Sequence, residues 1–185
     1  MRYYERRLPH FDVVGQPLFV TFRLYDSLPR NRAFPPESLT TGKAFAAMDR
    51  ILDQAKSGPK YLAIPEIAAL VVEAIRDGER RFSRYELHSF AVMPNHAHLL
   101  LTPSVPSATW LRTLKGFTAH HANLILGRTG NPFWQSESYD HLVRPGEFDR
   151  VRRYIENNPV KAGLAASTED FLWSSARACS KQAAG

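Results

Sequence analysis

The sequence predicts an α+β domain in which helices pack on a mostly antiparallel central sheet. Three observations carry this. The elements legible along the chain run strand, two helices, strand pair, helix, strand, helix, an order that places helices against one sheet. The strand pair is joined by a short turn, as antiparallel neighbours are. The chain has 185 residues, 44% hydrophobic and 11% aromatic, enough for one sizeable core and no second domain.

The first strand lies in "QPLFVTFRLYDSL", where Leu18, Val20, Phe22 and Leu24 share one face at a period of two. A loop bearing prolines and arginines, "LPRNRAFPPESLTTG", leads to a helix expected over about Lys43 to Lys56. Phe45, Met48, Ile51, Leu52 and Ala55 recur there at helical spacing, and "SGP" ends it. A second helix is expected over about Ile64 to Gly78, with Pro65 in its first turn and Ile67, Leu70, Val71, Ala74 and Ile75 on its apolar stripe. These two helices form an insertion at about residues 30–80.

"RFSRYELHSFAVM" and "HAHLLLTP" are the antiparallel pair, turning at "PN". Ser107 or Thr109 is placed to cap the helix "WLRTLKGFTAHHANLIL", which stops at Gly127. "FWQSESYDHLVR" is a strand or extended arm. In the last helix Phe148, Val151, Tyr154 and Ile155 form one stripe. Pro159 disfavours helix at the preceding residue, so an end near Asn157 or Asn158 is expected. There is no internal repeat and no low-complexity tract.

Charge and cysteine content narrow the function. A net charge of +6 and a pI near 9.7 suit a polyanionic partner, and equally a soluble protein with a basic surface. The single cysteine, Cys179, excludes an internal disulfide and a CxxC-type metal site. The basic N-terminus lacks the apolar segment of a signal peptide, and no run reaches the ~18 apolar residues of a membrane span. An intracellular, cytoplasmic protein is expected.

Chemistry concentrates in "MPNHAHLLL". On a strand, His96 and His98 share one face while Ala97, Leu99 and Leu101 share the other and enter the core. Two neutral imidazoles side by side are half of a metal site; ordinary surface histidines on an edge strand are the alternative. A third ligand must come from elsewhere. Tyr154 and Asn158 stand one helical turn apart. An amide oxygen can ligate a hard ion, and a phenol can attack a phosphate held beside it. Tyr154 as a core aromatic is the bland alternative.

The His-hydrophobic-His of "MPNHAHLLL", followed by the helix "YIENNPVKAGL", resembles the single-tyrosine HUH transposases of the IS200-like superfamily, and most of all their REP-associated tyrosine transposase branch. "RRLPHFDVVGQPLFVTFRL", "LKGFTAHHANLIL", "FWQSESYDHLVR" and the closing "WSS" resemble that branch in the same order, over about Arg6 to Ser175. The resemblance implies a single ferredoxin-like HUH endonuclease domain of bacterial origin, monomeric or homodimeric. It would cleave and rejoin single-stranded or hairpin DNA through a 5′-phosphotyrosine. His96 and His98 match the metal-binding pair, Tyr154 the nucleophile, and Asn158 the third ligand, for Mg²⁺ or Mn²⁺. His120 and His121 match no catalytic role, and Tyr139 is the rival nucleophile.

Arg112, Lys115, Arg128 and Lys161 are candidates to track a DNA backbone, and Trp110, Phe117 and Trp134 to stack on bases. For the tryptophans, burial in the core is the stronger expectation. Two other functions use the same features: a non-catalytic binder of structured DNA or RNA, and a metal phosphodiesterase that activates water instead of tyrosine.

Overall fold

The computed structural model describes residues 14–28, 49–53 and 58–177, with Arg2–Glu5 and Pro9–Asp12 described as backbone. The loop after Leu28, the ends of the helix expected over Lys43 to Lys56, and Cys179 lie outside the described residues; within that helix, 49–53 is helical.

β1 (Arg2–Glu5) and β2 (Pro9–Asp12) form a separate antiparallel hairpin. The main sheet comprises β3 (Leu18–Leu24), β4 (Tyr85–Val92), β5 (His96–Pro103) and β6 (Trp134–Leu142) in the order β4-β5-β3-β6. Every pairing is antiparallel. Helix α1 (Pro65–Arg80) connects β3 to β4, α2 (Ser107–Ile125) connects β5 to β6, and α3 (Phe148–Lys161) follows β6. The β-α-β-β-α-β succession with this strand order is the ferredoxin-like arrangement. The expected α+β class and antiparallel sheet are found, and α1 is the crossover helix of the fold.

The alternation read in the sequence sorts the two faces. Leu18, Val20, Phe22 and Leu24 join Ala97, Leu99 and Leu101 on one side, where Ile67, Val71 and Ile75 of α1 and Trp110 and Leu114 of α2 cover them. On the other side Phe19, Ala91, Leu100 and Tyr139 meet Leu52 of the 49–53 helix and Ile155 of α3. His98 stands on this second face, opposite Thr21 in the register. The last residues of the outer edge of β4 are covered by the segment around Ser174: Val92 N donates to Trp173 O at 2.8 Å and Ser175 N to Phe90 O at 3.0 Å. A covered edge offers no template for pairing with another chain.

Gly78 shows how closely α1 sits on β4. A Cβ there would lie 2.0 Å from the Tyr85 hydroxyl, which donates to Ile75 O at 2.6 Å. Only glycine leaves that space.

Two helix ends differ from expectation. Neither Ser107 nor Thr109 caps α2: Pro106 holds the N-cap position, Ser107 is the first helical residue, and no side chain caps the end. The stop near Gly127 is found, with that glycine at φ +63° just past the last turn. α3 does not end at Asn158 but runs through Pro159 to Lys161. Proline forfeits its own N–H bond to the preceding turn and crowds the carbonyl four residues back, here that of Ile155. Ala162 N still donates to Asn158 O at 2.9 Å, and the burial of Asn158 and Pro159 against the sheet outweighs the local preference.

Candidate metal centre

The β4–β5 turn, residues 93–95, delivers Asn95, His96 and His98 beneath α3 and the 49–53 helix. All three are fully or almost fully buried, as are Asp49 and Asn158. Asn95 Nδ2 donates to Leu52 O at 2.9 Å, turning its Oδ1 toward His96 Nδ1 at 2.7 Å. That oxygen accepts the imidazole proton, leaving His96 Nε2 a bare acceptor. His98 is held likewise: Nδ1 meets Thr21 Oγ1 at 2.7 Å, and Nε2 accepts from Asn158 Nδ2 at 2.7 Å. Phe19 stacks on the His98 ring at 5.7 Å and meets the Tyr154 ring edge-on at 6.2 Å.

The acceptors converge. His96 Nε2 and His98 Nε2 are 3.0 Å apart, and Asp49 Oδ1 lies 3.4 Å from the first and 3.1 Å from the second. Asp49 Oδ1 accepts no hydrogen bond among the described residues. Three electron-pair donors facing one another inside a buried site repel unless a cation lies among them. Their separations are those of neighbouring ligands around an ion bound at about 2.1 Å. Two imidazoles and one carboxylate suit a divalent ion of the first transition row, so the residues present fit a metal. Asp49, His96 and His98 form the candidate metal group.

The electrostatics follow from burial and proximity. Burial and the neighbouring His98 push His96 down to about 3, against the pull of Asp49, so its imidazole stays neutral. Burial works to raise Asp49, but His98, His96 and the Tyr154 hydroxyl prevail and hold its carboxyl well below the usual range. Asp53, 3.9 Å from His96 Nε2, is pushed up to about 7 by burial and by the charge of Asp49. Tyr154 donates its hydroxyl to Asp49 Oδ2, to which Asn158 Nδ2 also donates at 3.2 Å. Burial and the Asp49 charge raise the Tyr154 phenol far above its ordinary value.

No protein-family model matches the chain, and no curated protein matches it. Among solved structures, it is similar to a REP-associated tyrosine transposase bound to a REP hairpin. The TM-score is 0.58 at 21% identity, over 94% of this chain and 82% of that one. The chain has the fold of that transposase.

Within this transposase fold the residues singled out in the sequence fall into two groups. His96, His98, Tyr154 and Asn158 come together around Asp49, and Lys161 joins them with its ammonium 5.0 Å from the centre of the Tyr154 ring. The rival Tyr139 is buried in the same face, but across the central strand: it pairs with Thr21, whose other neighbour is His98. Arg112 and Lys115 line a separate cleft of about 720 Å³ between α2 and β6. There the Lys115 ammonium donates to Gln135 O at 2.5 Å and Ser136 O at 3.0 Å, and burial brings it down to about 8. Arg128 lies over the Tyr61 ring at 4.7 Å. Trp110 and Trp134 are core residues, whereas Phe117 is half exposed.

Sequence reasoning missed Asp49, Asp53, Asn95 and Thr21. Asp49 did leave a signal. It follows Phe45 by four residues and precedes Leu52 by three, so a carboxylate occupies the middle of an apolar stripe.

Proposed function

We propose that the protein is a metal-dependent DNA-strand transferase of the REP-associated tyrosine transposase kind, cleaving and rejoining single-stranded or hairpin DNA with Tyr154 as nucleophile. The observation that carries this is the bond from the Tyr154 hydroxyl to the carboxylate that faces both imidazoles. A structural tyrosine needs no such neighbour.

His96, His98 and Asp49 would hold Mg²⁺ or Mn²⁺, and turning the Asn158 amide would present its oxygen to the same point. The ion, when bound, supplies charge to a non-bridging phosphate oxygen and offsets the Asp49 charge that opposes ionisation of Tyr154. The remaining work belongs to the chain. Phe19 and Asp49 fix the phenol ring and its oxygen. Lys161, two helical turns after Tyr154 and with its ammonium beside that ring, would hold the phosphate. The phenolic oxygen gives up its proton and bonds to phosphorus, the bond to the 3′-oxygen breaks, and that oxygen takes up one proton and leaves as a hydroxyl. The phosphotyrosine keeps the bond energy, and the reverse attack by another 3′-hydroxyl rejoins the strands.

A labelled single-stranded hairpin incubated with protein and Mn²⁺, then run on a denaturing gel, tests this. The expected result is a protein–DNA adduct abolished by EDTA. Cleavage without adduct would assign the chemistry to water, and neither cleavage nor adduct would leave a DNA-binding protein.

A further inference from the structure

We infer that the cleft between the C-terminal end of α1 and the middle of α2 is a binding pocket for one unpaired nucleobase. It is distinct from the metal centre and rests on the proposed function only in taking nucleic acid as the ligand. The cavity is about 280 Å³, at the small end of ligand pockets and suited to a single ring system.

Its lining is aromatic and its rim cationic. Phe82 and Phe117, 52% and 47% exposed, flank it, with Tyr85 and Trp110 also in its wall. Two half-exposed phenylalanines about one cavity give up apolar burial that the core would otherwise have taken. Trp110 is 1% exposed, and its indole N–H has no acceptor among the described residues.

The Arg84 guanidinium lies 4.6 Å and that of Arg81 5.6 Å from the centre of the Phe82 ring. Arg81 is paired with Asp77 at 3.0 Å, while Arg84 makes no ion pair among the described residues. The turn carrying Phe82 is fixed, not floppy: Phe82 N donates to Asp77 O at 3.1 Å, Ser83 N to Glu79 O at 3.1 Å and Arg84 N to Gly78 O at 2.9 Å. An aromatic held out rigidly beside an unpaired arginine fits a base with its phosphate, since the ring stacks on the base and the guanidinium meets the charge. An apolar peptide would leave the arginine buried without a partner.

Placement on α2 supports the same occupant. Trp110, Thr113, Leu114 and Phe117 recur at helical spacing and line this pocket. Arg112, Lys115, Gly116 and Ala119 recur at the same spacing and line the larger cleft on the other side of the helix. A strand crossing α2 would engage both. The pocket adjoins Tyr85, which pairs with Pro103 at the far end of the β4–β5 hairpin from His96. The base it takes therefore lies several nucleotides from the cleaved phosphate.

The test is titration of a fluorescent single-stranded hairpin DNA with the full chain in EDTA, for Phe82→Ala, Phe117→Ala and Arg84→Ala. Each phenylalanine variant should weaken binding about 5- to 100-fold, as loss of one stacked base does. Arg84→Ala should lower the slope of log affinity against log salt by about 0.7–0.9. An abasic nucleotide walked along the DNA should reproduce the loss at one position, and there Phe82→Ala should cost nothing more. Because both rings are half exposed, the folded fraction by circular dichroism should be unchanged.

Adduct formation with Mn²⁺ at saturating DNA separates this proposal from the proposed function. If the wild type forms adduct and all three variants bind DNA as it does, the pocket is overturned and the function stands. If no protein forms adduct but the variants lose affinity as stated, the pocket stands and the function falls.

Discussion

Tyr154 donates its hydroxyl to Asp49, a residue 105 positions earlier in the chain, and the other oxygen of that carboxylate faces His96 and His98. One side chain thus touches the candidate nucleophile and the candidate metal ligands. Removing only the Tyr154 oxygen keeps the ring against Phe19, so Tyr154→Phe should fold, bind Mn²⁺ and bind DNA. It should form no covalent DNA adduct on a denaturing gel, and Tyr139→Phe should still form one. Mapping the modified peptide by mass spectrometry should find "YIENNPVK". An adduct in Tyr154→Phe, or one mapped to "SYDHLVR", would transfer the role to Tyr139.

The sequence made the sheet and half of this site legible because both are written in short-range periods. Alternation in "LFVTFRL" and "HAHLLL" named the face that enters the core and placed both imidazoles on the other. Helical spacing put Tyr154 and Asn158 on one face, whereas Lys161 joined them only because the helix runs on past Pro159. Asp49 was illegible for another reason: its value depends on contact with residues 47 and 105 positions away, and no local period records that. The end of α3 was misjudged because the cost of Pro159 is local, whereas the burial of Asn158 that overrides it is tertiary.

If Asp49 is the anionic ligand, Asp49→Asn should lower Mn²⁺ affinity by at least tenfold without DNA present, since two neutral imidazoles and an amide supply no charge to the site. Electron paramagnetic resonance of free Mn²⁺ during titration reads this directly, with His98→Ala as reference. Full Mn²⁺ affinity in Asp49→Asn, alongside its loss in His98→Ala, would remove Asp49 from the metal and leave it a partner of Tyr154 only.

The pH dependence of stability should expose Asp53. Its carboxyl is raised to about 7 in the fold by burial and Asp49, against an ordinary value of about 3.9. Between those values the native state holds a proton that the unfolded chain lacks, so Asp53 contributes stability that is lost as pH rises through 7. His96 has the opposite sign. Burial and His98 lower it to about 3 from about 6.5, so its contribution is lost as pH falls below 6.5. In EDTA the two offset each other from about pH 4 to 6.5. Asp53→Asn should leave the His96 slope uncovered, losing up to about 1.4 kcal/mol per pH unit relative to wild type on acidification. Urea melts at pH 4.5, 5.5 and 6.5 measure the difference, and parallel curves for the two proteins would contradict it.

Asn95 performs two tasks that substitutions can separate. Its Oδ1 accepts from His96 Nδ1 at 2.7 Å, which keeps His96 Nε2 unprotonated and aimed at the site. Its Nδ2 donates to Leu52 O at 2.9 Å, tying the helix that carries Asp49 to the strand that carries the histidines. Asn95→Ala removes both, and Mn²⁺ affinity should fall about 10- to 100-fold, as it does when the outer partner of a ligating histidine is lost. Asn95→Asp keeps the acceptor and strengthens it with charge, but cannot donate to Leu52 O. If orientation of His96 dominates, Asn95→Asp should recover Mn²⁺ affinity at pH 8 to within a few-fold of wild type. If the tie to Leu52 dominates, it should be as weak as Asn95→Ala, because Asp49 would no longer be held against the imidazoles. Both variants should be compared well below their melting temperatures, since losing the buried bond from Asn95 to Leu52 O costs about 0.5–1.5 kcal/mol. An Asn95→Ala protein that is folded and binds Mn²⁺ as tightly as wild type would show that the imidazoles are positioned by β5 alone.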